Sequence, residues 1–122
     1  MYEITINPVK KEVYAFAEGF FTLEEANSFI ADFKSKTSNI NTSGYNLIVN
    51  TKELKTCTPE VAAKLADVMA MYIENPYKGR YIVKLESVVT QSQVNRLGKS
   101  IPGFIENVVF VDDENEARRL IG

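Results

Sequence analysis

Apolar and polar residues alternate at the start of the chain, a spacing typical of strands that bury one face. The alternation predicts a first strand over residues 2–6 and a second strand over residues 11–18. Asn7 and Pro8 lie between them, and proline cannot donate a hydrogen bond to a strand ladder. We therefore predict an antiparallel hairpin closed by a short turn.

Two helices are predicted where the spacing of apolar residues changes from that of a strand to that of a helix and where capping residues precede the change. Thr22 can cap a helix and form a capping box with Glu25, and an apolar face with helical spacing follows. Asp113 and Glu116 form the same pattern before the last apolar segment of the chain. Leu120 is expected on the buried face of this last helix.

The central unit of the predicted domain covers residues 45–73. An apolar strand over residues 45–49 leads through a polar turn into a long amphipathic helix. Thr58 is the predicted N-cap of this helix, and Pro59 stands at its first position, where no backbone donor is needed. Asn75, followed by a proline, ends the helix.

Two further strands and a short helix complete the pattern. The strands are predicted over residues 81–85 and 107–111, and the helix over residues 90–99. Thr90 is the predicted cap of this helix, and Val89 is expected to pack on its first turns as a hydrophobic staple.

The predicted order of elements is β-β-α-β-α-β-α-β-α. From the third strand onward strands alternate with helices, which favours parallel pairing and right-handed crossovers. Asn46, Asn50, Lys84 and Glu86 interrupt the strands, whereas a sheet covered on both faces has nearly continuous apolar strands. We predict a single α/β domain over residues 1–122, a small mixed β-sheet with helices mainly on one face.

Composition narrows the classes of function. The chain has 122 residues, a net charge of −2 and interspersed charges, so no basic patch favours nucleic-acid binding. Its apolar runs are too short for membrane insertion, and its start lacks a charged-then-apolar leader. With Cys57 as its single cysteine, we expect a cytoplasmic protein without a disulfide. The absence of histidine removes the commonest base and metal ligand, so we expect neither enzymatic activity nor a cofactor.

The order of elements resembles the STAS fold (sulfate transporter and anti-sigma-factor antagonist domains), and more closely its bacterial single-domain variants. The resemblance is carried by the hairpin and by the segments EGFFTLEEANSFIADF, YNLIVNT, KTCTPEVAAKLADVM, RYIVKLES and VVFVDDENEARRLI. It implies a regulatory domain without enzymatic activity, which docks on a protein partner through the turn and helix after the central strand.

The family pattern points to Thr56, Cys57 and Thr58 as the candidate docking turn. Antagonists of the family carry an Asp-Ser pair there, and a partner kinase phosphorylates the serine. This chain lacks the aspartate, and Cys57 or Thr58 stands where the serine is expected. Family members also often end the central strand with an aspartate, where this chain has Asn50.

Each candidate residue also has a simpler interpretation. Thr58 is either a phosphoacceptor at a helix N-terminus or only a helix cap. Cys57 is either a reactive thiolate or a small turn residue. The acidic run from Asp112 to Glu116 is either a cation site or a capped first turn, and its spacing is not that of a calcium loop.

Two other functions stay open beside the docking module. The first is binding of a small apolar ligand between sheet and helices, because related STAS-like folds hold such molecules and the chain is rich in Phe, Tyr and Met. The second is a structural subunit of a larger, phage-like assembly. Tyr14, Phe16, Phe20 and Phe21 exceed what a small core needs, so some of them are expected on the open sheet face, which could form a homodimer.

Overall fold

The computed structural model describes residues 1–55 and 58–122, which form a five-stranded sheet and five α-helices. The strands are β1 (Tyr2–Asn7), β2 (Glu12–Ala17), β3 (Asn46–Asn50), β4 (Gly79–Val83) and β5 (Val109–Val111). The helices are α1 (Leu23–Thr37), α2 (Pro59–Glu74), α3 (Val88–Ser100), α4 (Phe104–Asn107) and α5 (Glu114–Ile121), and a 3₁₀ turn covers Thr42–Gly44.

The strands lie in the sheet in chain order, from β1 at one edge to β5 at the other. β1 pairs with β2 in the antiparallel sense, with Tyr2 opposite Ala17 and Asn7 opposite Glu12. β2, β3, β4 and β5 pair in the parallel sense. The predicted α/β class and mixed sheet are therefore confirmed, and the four-residue helix α4 is an addition to the predicted order.

Successive side chains of β3 point to opposite faces of the sheet. Leu47 and Val49 belong to the main core, beneath α1, α2 and α3, whereas Ile48 belongs to a smaller core on the other face. α5 lies on this second face, where Ala117 packs with Ile48, Val83 and other buried residues. The prediction of helices mainly on one face is confirmed, with α5 as the element on the other side.

The second face of the β1–β2 hairpin is less covered. Glu3 and Thr5 are exposed, and Phe16 is half-buried. Tyr14 packs against the smaller core instead of facing solvent. This part of the sheet is therefore mostly polar, with Phe16 as its main apolar group.

The third helix begins two residues earlier than predicted, and its cap lies three residues earlier. Ser87 is its N-cap, and its hydroxyl oxygen accepts the N–H of Thr90 at 3.2 Å. Thr90 is itself inside the helix and only 1% exposed. Val89 is 63% exposed, so the predicted hydrophobic staple is wrong. Both Ser87 and Thr90 can cap, and burial of Thr90 decides between them.

The last two strands are also shifted from their predicted positions. β4 begins and ends two residues before the predicted strand, although Leu85 beyond it remains buried. β5 begins at Val109, because the preceding residues form α4. α4 follows Gly103, whose φ of +80° suits glycine, and the Asn107 amide donates to the Gly103 carbonyl at 2.7 Å.

The predicted caps of α1 and α5 are present. Thr22 and Glu25 form the complete capping box of α1. The Asp113 carboxylate accepts the N–H of Glu116 at 2.8 Å, while the Glu116 carboxylate accepts the N–H of the preceding Asp112 instead of that of the cap. Leu120 is 58% exposed, which corrects its expected position on the buried face of α5.

A buried arginine closes the C-terminal end of α2. Arg80 lies in β4 beside Leu47, on the main core side of the sheet, and is 9% exposed. Its Nε–H donates to the carbonyl oxygen of Tyr72 at 2.7 Å, and its Nη2–H donates to that of Asn75 at 2.5 Å. The guanidinium also lies 5.5 Å from the centre of the Tyr77 ring. It therefore satisfies carbonyl groups that a helix end leaves without intrahelical partners.

Candidate functional site

The segment after β3 runs along the carboxyl edge of the sheet, where the parallel strands β2, β3 and β4 end. The N–H of Gly19 donates to the carbonyl of Glu53 at 3.0 Å, and the N–H of Lys55 donates to the carbonyl of Gly19 at 3.0 Å. On the other side, the N–H of Glu86 donates to the carbonyl of Lys52 at 2.8 Å. Residues 51–55 are thus fixed between the loops that follow β2 and β4. Ligand sites of open α/β sheets commonly lie at this edge.

Thr58 begins α2 and is exposed at its side chain. Its hydroxyl oxygen accepts the N–H of Val61 at 3.4 Å, and Pro59 takes the first helical position. The prediction of Thr58 as the N-cap is confirmed. Thr56 and Cys57, the other two residues of the candidate turn, lie outside the described residues.

Replacing Thr58 by alanine is expected to lower the free energy of unfolding by about 1 kcal/mol, because the cap oxygen is lost. Thr58→Ser keeps this oxygen and serves as the matched control. Urea unfolding followed by circular dichroism measures both variants. Equal destabilisation by the two replacements would show that the threonine methyl, and not the cap oxygen, holds the start of α2.

Large apolar side chains are exposed on both sides of the 51–55 segment. Phe20 is 73% exposed, directly after Gly19, and Met1 is 57% exposed in the same shallow groove. Val88 and Val89 are 82% and 63% exposed, in the first turn of α3. Phe20 was expected in the core or on the open sheet face, and it lies at neither place.

A polar network occupies the end of β3 on the second face. The Asn50 amide donates to the Tyr14 hydroxyl at 3.3 Å and to the Glu114 carboxylate at 3.4 Å. Arg118 donates to both carboxylate oxygens of Glu12, at 3.3 and 3.1 Å, and its Nη1 lies 3.4 Å from Glu114. Asn50, at the position where STAS members often have aspartate, therefore connects β2 and β3 to α5.

The protonation of this network follows from its contacts. Burial and the neighbouring Glu114 carboxylate raise the pKa of Tyr14 to about 12. The Tyr14 hydroxyl, as hydrogen-bond partner, and the Arg118 guanidinium hold the pKa of Glu114 below its ordinary value. At neutral pH the tyrosine is a neutral donor beside an ionised carboxylate. The network is explained by the attachment of α5 to the sheet.

A cavity of about 70 Å³ lies on the main core side, beneath the carboxyl edge. Residues from β2, β3, β4 and the helices α1, α2, α3 and α4 surround it, and most are apolar. They are Ala17, Phe21, Ala26, Phe29, Val49, Thr51, Leu54, Val61, Lys64, Leu65, Val68, Met69, Tyr72, Ile82, Leu85, Val94 and Phe104. The cavity therefore lies between the sheet and the helices, which is the place where the alternative function, binding of a small apolar ligand, is expected.

The polar groups of the cavity are unevenly placed. Thr51 and Lys64 are half-buried, as are Phe21, Leu65 and Val68, so these residues form its solvent-facing side. The deeper wall is buried and apolar. Tyr72 belongs to this wall, and burial raises the pKa of its phenol above the ordinary value, so it is neutral.

The acidic run from Asp112 to Glu116 has structural partners. Asp113 caps α5, and Asp112 lies 3.5 Å from Lys84, so the acidic run is engaged at a helix start and in an ion pair. In residues 1–55 and 58–122, no group of three potential ligands is placed to hold a metal ion. Within the same residues, each helix is too short or too polar to cross a bilayer.

The resemblance to STAS domains stays a prediction at this point. A comparison of the chain with family models, curated proteins and solved structures gives no match.

Proposed function

We propose that the chain is a regulatory interaction module without enzymatic activity, similar to anti-sigma-factor antagonists, and that it works in the cytoplasm. It docks a protein partner at the carboxyl edge of the sheet, around the 51–55 segment and the start of α2. The observation that carries this proposal is the exposure of Met1, Phe20, Val88 and Val89 beside that segment.

The exposed apolar groups are concentrated at this edge. The described part of the chain exposes nine large apolar side chains, and five belong to segments at the carboxyl edge: Met1, Phe20, Leu23, Val88 and Val89. Single exposed apolar residues are ordinary, but grouped ones are typical of interaction surfaces. Their rigid support also fits a docking surface, since backbone hydrogen bonds fix the loops between them.

The proposal does not include a phosphorylation switch at Thr58. Its hydroxyl accepts the N–H of Val61 at the start of α2, and this role accounts for the residue.

The alternative partner is a second copy of the chain, which would form a homodimer through the open sheet face. Phe16 offers the apolar contact there, between the exposed polar residues Glu3 and Thr5.

Site-specific photocrosslinking in the native cells tests the docking surface. A photoreactive residue is placed at Phe20, at Val88 or at Val9, which is 93% exposed in the β1–β2 turn at the opposite edge. We expect one protein species to crosslink from positions 20 and 88 and not from position 9. The double variant F20S/V88S should lose this partner, and the control V9S should keep it.

Two outcomes would contradict the proposal. Either no protein is crosslinked from position 20 or 88, or the same proteins are captured from all three positions. A crosslink between two copies of the chain from a residue placed at Phe16 would favour the homodimer instead.

A second function, binding of a small apolar ligand, is favoured by the cavity. Its walls come from the sheet and four helices, and its deep side is lined by buried apolar residues such as Val49, Ile82 and Phe104. Small-molecule sites are usually apolar cavities with a few polar groups at defined places. The two functions are compatible in space, because the cavity lies beneath the proposed docking edge.

A further inference from the structure

We propose that the cavity binds the short hydrocarbon chain of an anionic amphiphile, with the head group beside Lys64. This inference rests on the second function, ligand binding in the cavity, and adds the chemical class and the length of the ligand. The chemistry of the deep wall, the size of the cavity and the charge on its solvent-facing side all favour this class of ligand.

The deep wall selects hydrocarbon over a polar ligand. Leu54, Met69, Leu85, Val94 and Phe104 are all buried there, and their side chains have no strong hydrogen-bonding group, so the Tyr72 phenol is the polar group among the buried lining residues that the structure describes. A polar group of a ligand that faces the apolar side chains would lose its hydration without gaining partners, at a large cost in free energy. Methylene groups gain from the same transfer out of water.

The volume limits the length of the chain. A water-sized group needs about 10–15 Å³ on the scale by which the cavity measures about 70 Å³, so the cavity holds roughly five such groups. A methylene is close to a water molecule in size. The cavity therefore suits a linear chain of about five or six carbons, and longer chains must extend into solvent or displace side chains.

The solvent-facing side supplies a cation. Lys64 lines the cavity from the second turn of α2 and keeps a side-chain exposure of 38%. Its ammonium lies 3.7 Å from the carboxylate of Asp67, which is 65% exposed. Exposed ion pairs of this kind are weak, so a ligand carboxylate can replace or share the contact. Thr51, on the same side, adds a hydroxyl group that can donate to an anionic head.

Calorimetric titration with two matched ligand series tests the inference on the full chain. The first series is the linear carboxylates from four to ten carbons, and the second is the linear alcohols of the same lengths. We expect the Kd to fall about fourfold for each methylene up to about six carbons and then to level off. Carboxylates should bind about two to five times more tightly than alcohols of equal length.

Two lysine variants separate the head group from the chain. Lys64→Met keeps an apolar side chain of similar length, so it should remove the preference for carboxylates and leave alcohol binding unchanged. Lys10→Met makes the same charge change at an exposed position of the β1–β2 turn, at the opposite edge of the sheet, and should leave both series unchanged. An unchanged preference in Lys64→Met would overturn the assignment of the head group.

A cavity-filling variant tests the location. Ala26→Leu puts extra carbon atoms into the cavity and should abolish binding of both series while circular dichroism shows a folded protein. If this variant does not fold, Ala17→Val introduces a smaller filling group from β2. Binding that survives in a folded filling variant places the ligand elsewhere and overturns the inference.

The outcomes also distinguish the inference from the function on which it rests. Alcohols that bind as tightly as carboxylates, with the same dependence on length, leave the apolar ligand function standing and overturn the anionic class. Absence of binding by both series at every length overturns both.

Discussion

Replacing Phe33 by alanine is expected to lower the free energy of unfolding by about 3–5 kcal/mol. Phe33 is completely buried on α1, and its ring lies 5.4 Å from the Tyr72 ring of α2 and 6.2 Å from the Phe29 ring. The ring therefore joins the two long helices to each other. Its removal leaves a void among side chains that are fixed by the sheet, so the site can collapse only in part.

Denaturant unfolding measured by circular dichroism determines this loss. Phe20→Ala is the matched control, since it deletes the same ring from a position that is 73% exposed, and it should change stability by less than about 0.5 kcal/mol. A loss below about 1.5 kcal/mol for Phe33→Ala would mean that the helices close over the void.

The second large effect is expected from Arg80→Met, which should lower the free energy of unfolding by about 2–4 kcal/mol. The guanidinium donates to the carbonyls of Tyr72 and Asn75, at the end of α2. Methionine preserves part of the apolar packing but leaves these oxygens without their donor. Hydrogen bonds from a charged group to buried acceptors are among the stronger ones.

Two further arginine variants test whether the charge of Arg80 or its two-point geometry stabilises the end of α2. Arg80→Lys keeps the charge, but a single ammonium does not reproduce the planar fork that meets two carbonyls, so an intermediate loss is expected. Arg119→Met removes a charge from an exposed position of α5 and should be nearly neutral. If Arg80→Lys matches the wild-type protein, charge alone and not the two-point geometry closes the helix end.

Much of the fold could be predicted from local patterns, because strand and helix spacing differ clearly in this chain. Leu47, Ile48 and Val49 alternate between the two cores, because successive side chains of a strand point to opposite faces of the sheet. The start of α3 was missed because Ser87 and Thr90 both have capping side chains. Only the packing of Thr90 into the interior selects Ser87.

The candidate site was less accessible to sequence reasoning. The cap at Thr58 depends on neighbouring residues and was predictable, whereas the buried role of Arg80 depends on where α2 ends relative to β4. The cavity is present because side chains from four helices and the sheet do not fill the interior completely. No local sequence pattern indicates such a gap. The exposure of Phe20 depends on the backbone pairing of Gly19 with the 51–55 segment.

The agreement between strand order and chain order has a consequence for synthesis on the ribosome. Each new strand emerges beside an edge that is already complete, so it can pair without waiting for a later part of the chain. The second face differs, because the smaller core of Ile48, Val83 and Val111 is covered by α5, an eight-residue helix that follows all five strands in the chain. A nascent chain therefore exposes this apolar stripe until α5 has left the exit tunnel and can fold onto the sheet.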